Sequence, residues 1–175
     1  MDKIIINESD MNFGPYNKDD FFQIEKSNVY TKKLAKNRVD VTEFILLCDK
    51  KLLFVEAKKT TPNFANCSES QEKLKKYQDY VYSIRDKFVH SVSTYMSMRL
   101  GRTDGSELPE RMIQNDIKSL RIVLVLVVKN SYPSSLIHYK EKLDSILKPE
   151  KSIWRINDVL VISETMAKKK GLVVE

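Results

Sequence analysis

Two apolar runs around a short polar group constrain this chain more than any other feature. Residues 39–58 read VDVTEFILLCDKKLLFVEAK. Aliphatic and aromatic side chains fill Phe44 to Leu47 and Leu52 to Val55, as expected of buried strands. Asp49-Lys50-Lys51 between them is the polar group of a hairpin turn. A two-residue turn at Asp49-Lys50 sets Cys48 opposite Lys51, Leu47 opposite Leu52 and Ile45 opposite Phe54. Continued outward, the same register puts Glu43 opposite Glu56, with β-carbons about 5 Å apart. Lys58 lies two residues on and points to the same face, while Lys59 points away. A three-residue loop would instead put Phe44 opposite Glu56 and bring Asp40 back into consideration.

Buried strands rarely end in opposite charges, because desolvating charge is expensive. Two carboxylates facing each other also repel, and a sheet selected only for stability avoids that. A bound divalent cation removes the penalty. Mg²⁺ prefers hard oxygen ligands and commonly uses one or two carboxylates with water and substrate phosphate. Such an ion lowers the pKa of a bound water and clamps a phosphoryl oxygen. Lys58 adds a positive charge able to contact a scissile phosphate or orient the attacking water. Glu43, Glu56 and Lys58 are therefore the candidate catalytic residues, suited to cutting a phosphodiester bond.

The remaining chain supplies the frame. Residues 3–6 make a short strand or an N-terminal arm, and Gly14-Pro15 signals a turn. Residues 19–37 are ambiguous between a helix opened by Asp19-Asp20 and an extended segment. Ser68 caps a helix with Gln71 at the capping-box position. Leu74, Tyr77, Val81, Ile84, Phe88, Val92 and Tyr95 form a helical stripe, which predicts one long helix over roughly 68–99. A short helix is predicted at 109–117, a buried strand at 119–130 and an amphipathic helix at 131–147. A last strand follows at 158–163, then a short helix stopped by Gly171. Helices alternating with buried strands predict an α/β three-layer sandwich, a central mixed β-sheet flanked by helices on both faces.

The chain has 175 residues, which suits a single domain over 1–175. Hydrophobic residues are 42% and charged residues 31%, a globular rather than disordered balance. The formal net charge of +6 is compatible with a nucleic-acid partner but does not require one. Cys48 and Cys67 form no CxxC, and only His90 and His138 could supply imidazoles, so zinc is not expected. Cys48 reads as a small core residue, and the cysteine pattern suits a reducing cytoplasm. The N-terminus does not read as a signal peptide. The longest aliphatic run, Ile122 to Val128, is too short for a membrane span. Lys73, Lys75, Lys76, Arg85 and Lys87 read as a solvated helix face that could also track phosphates, and Arg99 and Arg102 are similar.

The hairpin resembles the PD-(D/E)XK nuclease superfamily, with its restriction-endonuclease-like fold. In that family an acid sits on one strand, (D/E)-x-K closes the next, and a long helix usually follows. Here these are Glu43, then Glu56-Ala57-Lys58, then the helix from Ser68. The likeness covers element order over roughly residues 19–165 and the motif only at the hairpin. Glu43 stands where the family usually has Asp, and no Pro-Asp pair precedes it. The resemblance implies Mg²⁺, with Mn²⁺ able to substitute, held by Glu43, Glu56 and the main-chain carbonyl of Ala57. It also implies an upstream acid, for which Glu25 is the candidate. Gln78 and Tyr82 match the Q-x-x-x-Y spacing of the RecB-like branch. The implied activity is metal-dependent hydrolysis of DNA or RNA. The implied alternative is a nuclease-fold protein without catalysis, acting as a nucleic-acid or protein interaction module. A homodimer or larger complex is left open.

Overall fold

Asp49 and Lys50 both adopt positive φ, at 47° and 59°. A two-residue turn of that hand matches the twist of the strands it joins. The computed structural model, which describes residues 2–174, accordingly pairs Cys48 with Lys51, Leu47 with Leu52, Leu46 with Leu53, Ile45 with Phe54 and Phe44 with Val55. The two-residue register is the one adopted.

These strands lie inside a five-stranded sheet. The first three strands of the chain are β1 (Lys3–Glu8), β2 (Met11–Asn17) and β3 (Phe21–Phe22). The hairpin is β4 (Phe44–Cys48) and β5 (Lys51–Lys58). After it come α1 (Gln71–Arg99), α2 (Glu110–Gln114) and β6 (Arg121–Val128). The chain continues through α3 (Pro133–Ile146), α4 (Lys148–Trp154), β7 (Ile156–Ser163), α5 (Glu164–Lys169) and β8 (Val173–Val174). The large sheet runs β3-β4-β5-β6-β7, and a small one runs β1-β2-β8. β4 is antiparallel to β5, while β5, β6 and β7 are parallel. Parallel neighbours need crossovers, which the helical segments between β5 and β6 and between β6 and β7 provide.

The layers differ in part from the expectation. Leu52, Phe54, Leu124, Leu126 and Val159 pack against Val81, Ile84 and Phe88 of α1 and Leu136 and Tyr139 of α3. That face is the helical one. The alternate residues Leu53, Val55, Ala57, Val123 and Val125 pack instead against Met11, Phe13, Tyr16 and Val173 of the small sheet and Ala167 of α5. The second outer layer is thus mostly β. The segment read as a Gly-Pro turn is strand β2, because Gly14 (φ 118°) meets the first strand too closely for a side chain. A β-carbon there would lie 2.6 Å from the Ile4 carbonyl oxygen. The pairing of β1 with β2 shifts register at that point, where a bulge accommodates Gly and Pro.

Three smaller readings are corrected. The helix cap is Ser70, whose hydroxyl accepts from the Lys73 amide at 3.2 Å, and Ser68 falls in a preceding 3₁₀ turn. Cys48 is exposed at the hairpin turn rather than in the core; Cys67 is buried. Arg99 donates to the carbonyls of Ile113 and Asn115, both at 3.0 Å, and so ties the end of α1 to the segment around α2. Among the described residues, no helix is long and apolar enough to cross a membrane.

Candidate functional site

Period-two alternation puts Leu52, Phe54, Glu56 and Lys58 on the helical face of β5. Glu56 has no solvent exposure. An isolated carboxylate cannot remain charged there without partners, and two ammoniums supply them. Lys58 Nζ lies 2.7 Å and Lys87 Nζ 2.8 Å from the same oxygen, Oε1. The other oxygen, Oε2, is buried with no hydrogen-bond partner. The expected pairing of Glu56 with Lys58 on one face is therefore present, and Lys87 joins it.

Lys87 is not part of a solvated helix face, which corrects the reading of that residue. Burial pulls its pKa down, but Glu56 first and then Glu43 and Glu25 outweigh burial, so the net shift is upward. One turn further along α1, the Ser91 hydroxyl accepts from the Thr42 amide at 2.8 Å and contacts the Thr42 hydroxyl at 3.0 Å. One stripe of α1 thus pins both Glu56 and the segment that carries Glu43.

Glu43 sits at a bend one residue before β4. Its amide donates to the Val55 carbonyl at 3.1 Å, the residue that Phe44 already faces. The straight ladder therefore ends before Glu43 reaches its expected place opposite Glu56. The two carboxyl groups nevertheless interact. Burial, a hydrogen bond with the Glu25 carboxyl and the charge of Glu56 push Glu43 up to about 9. Glu25 is carried on a 3₁₀ turn, Ile24–Lys26, anchored by fully buried Ile24 and by the Ser27 hydroxyl donating to the Ile24 carbonyl at 2.7 Å.

The tip of the first hairpin completes the site. Glu8 accepts from Gln23 Nε2 at 3.2 Å, and burial followed by the charge of Glu25 raises its pKa. The Ser9 hydroxyl donates to the Ala57 carbonyl at 3.0 Å, while the Ala57 side chain faces the small sheet. On α1, Tyr80 has a buried hydroxyl without a partner. Burial, Tyr139 and Glu56, in that order, push its pKa up.

The sequence-predicted residues Glu25, Glu43, Glu56, Ala57 and Lys58 are all brought to this region. Gln78 and Tyr82 are not: both point to solvent, and Tyr82 is 48% exposed. His90 contacts the Asp40 carbonyl through Nδ1 at 3.0 Å, and His138 stacks on Phe64. Lys73 and Lys76 pair with Glu69 and Glu72 on the surface, and Arg85 with Asp86 and Glu150. Sequence reasoning missed Glu8, Ser9, Tyr80 and Lys87. For the α1 residues a signal existed, because Tyr80, Ile84, Lys87 and Ser91 recur at spacings of three and four. Glu8 and Ser9 carried none, since only the tertiary fold brings them to β5.

Among the described residues, no three His, Cys, Asp or Glu side chains are grouped so as to hold a metal ion by themselves. A Mg²⁺ site does not require three, because water and phosphate oxygens complete the shell. The partnerless Glu56 Oε2, the Glu43 carboxyl once its proton is displaced, and the Ala57 carbonyl are hard donors of the right kind. A cation beside them would offset the burial and the neighbouring Glu25 and Glu56 that together raise Glu43. No family model, curated protein or solved structure matches the chain.

Proposed function

We propose that this chain is a divalent-metal-dependent nuclease of the restriction-endonuclease-like kind, acting on DNA or RNA. The observation that carries the reading is Glu56: fully buried, with one oxygen held by two lysines and the other held by nothing. Buried carboxylate oxygens mostly find a partner. Glu150 and Asp20 also leave one oxygen unpartnered, but Glu56 alone of the three is completely buried and held by two lysines. Glu56 and Glu43 would hold Mg²⁺ or Mn²⁺, with the Ala57 carbonyl as a third ligand and Glu25 behind Glu43. The bound ion would supply a polarised phosphoryl oxygen and an acidified water. Lys58, the more exposed of the two lysines, offers its ammonium to charge developing on the phosphate. Lys87 holds the Glu56 carboxylate in place. The Glu43 carboxyl holds a proton that ion binding would displace.

The test is incubation of the purified protein with single- and double-stranded DNA and RNA in Mg²⁺ or Mn²⁺. Glu56→Gln and Lys58→Met should each lower cleavage at least about a hundredfold, the scale on which charge-stabilising groups act. Equal cleavage by wild type and both variants would remove these residues from the mechanism.

A second reading is a nuclease-fold interaction module without catalysis. Two contacts favour it: both lysines already neutralise Glu56, and Ser9 already occupies the Ala57 carbonyl. Calorimetric titration with Mn²⁺ separates the readings. Absence of binding by the folded protein supports the module.

A further inference from the structure

Beyond the carboxyl ends of β5 and β6 lies an open groove of about 600 Å³. In sheets with parallel strands, ligands favour the crevice at those ends. Thr60 enters the groove two residues after Lys58, and the Lys129 amide donates to the Lys58 carbonyl at 2.9 Å, so groove and site share a rim. The lining differs from the site in kind. It contains no Asp, Glu, Lys or Arg, only amides, hydroxyls, small apolar groups and aromatic rings. Tyr132, at 81% exposure, is the most exposed large apolar side chain among the described residues, and it stands on the groove wall. Across from the loop that carries it, Phe64 and His138 are stacked at 4.0 Å with their planes 22° apart.

We infer that this groove seats a nucleobase of a single-stranded nucleic acid, beside the phosphodiester handled at Glu56 and Lys58. The choice of ligand rests on the nuclease reading. An uncharged wall of Asn63, Asn130, Ser134 and Thr61 suits base edges, which are neutral donors and acceptors, better than it suits phosphate. Flat aromatic faces provide sequence-tolerant stacking for unpaired bases. The walls are held in advance. The Tyr139 hydroxyl donates to the Pro62 carbonyl, joining α3 to the loop after β5. The Tyr139 ring packs between Tyr77 at 5.3 Å and Tyr80 at 5.6 Å, and the charge of Glu56 acts on the Tyr80 hydroxyl. Groove and catalytic cluster are thus joined by one aromatic chain.

Fluorescence anisotropy in EDTA, with short labelled oligothymidylate and oligouridylate, tests the groove without cleavage. Tyr132→Ala should weaken binding by about fivefold or more, the range for loss of one stacked base, and Tyr132→Phe should bind as wild type. His138→Ala should weaken binding in the same direction. The salt dependence should not change in Tyr132→Ala, because phosphate contacts are untouched. Binding that is unchanged in Tyr132→Ala and His138→Ala overturns the inference, as does wild-type binding to duplex but not to single strands. Cleavage assays on the same proteins separate the two claims. A Tyr132 effect on binding without any wild-type cleavage supports the groove and removes the nuclease reading. Cleavage with the same KM in Tyr132→Ala keeps the nuclease and removes the groove.

Discussion

At the closed end of the β4–β5 hairpin, Asp49 and Lys50 stand in water; at its open end, Glu56 is completely buried and Glu43 is 8% exposed. Both ends carry charge on neighbouring strands, yet different physics selects it. At the turn the requirement is backbone conformation, since both residues take positive φ and Asp tolerates that region. At the open end the requirement is electrostatic. Glu56 is held there by Lys58 and by Lys87, which reaches in from α1, while burial and Glu25 on the Ile24–Lys26 turn keep the Glu43 carboxyl protonated. A charge at a strand end signals a site when a distant element has been spent on holding it.

The largest way to break this contrast is Glu56→Ala. Lys58 and Lys87 would then face each other without a counter-charge, one removed partner of a buried ion group costing roughly 3–5 kcal/mol. Urea denaturation should show a lower midpoint with an unchanged slope. A loss below about 1 kcal/mol, the range of exposed pairs, would mean that the lysines relax into water.

An intermediate effect comes from Glu43 and depends on pH. The folded protein holds this proton up to about 9, whereas the ordinary carboxyl value is 4.5. Between those values the folded state binds the extra proton, so stability falls as pH rises and levels off above the window. Glu43→Gln removes that dependence. Its melting temperature should gain on wild type by several degrees between about pH 5 and pH 9, since each kcal/mol is worth about 2–4 °C at this size. Parallel pH profiles for the two proteins would show that Glu43 ionises normally.

The smallest effect belongs to the closed end. Asp49→Asn removes the charge but keeps a residue that accepts positive φ. Its unfolding free energy should stay within about 0.5 kcal/mol of wild type, as for ordinary surface changes. A larger loss would show that the Asp49 charge contributes after all.

Much of the fold was legible because local patterns agreed with tertiary placement. The continuous apolar runs of β4 and β5 and the stripe from Tyr77 to Tyr95 are short-range signals, and these elements form as expected. The hairpin register was also legible, because a two-residue turn leaves little freedom to slip. The β1–β2 hairpin was misread because Gly14-Pro15 looks like a turn until the close approach of Ile4 explains it. The two-residue strand β8 was missed for lack of any periodicity so short.

Within the site, sequence alone determined that Glu56 and Lys58 share a face of β5, because alternation is a property of the strand itself. It also favoured the two-residue register that brings Glu43 toward Glu56, and the structure adopts that register. Only the tertiary structure decided the rest. It bent the chain at Glu43, laid Lys87 and Tyr80 over β5, joined Glu25 to Glu43, and set Ser9 on the Ala57 carbonyl. The physical reason is range. Strand and turn geometry act over a few residues, whereas burial and charge pairing act between whichever elements the core brings together.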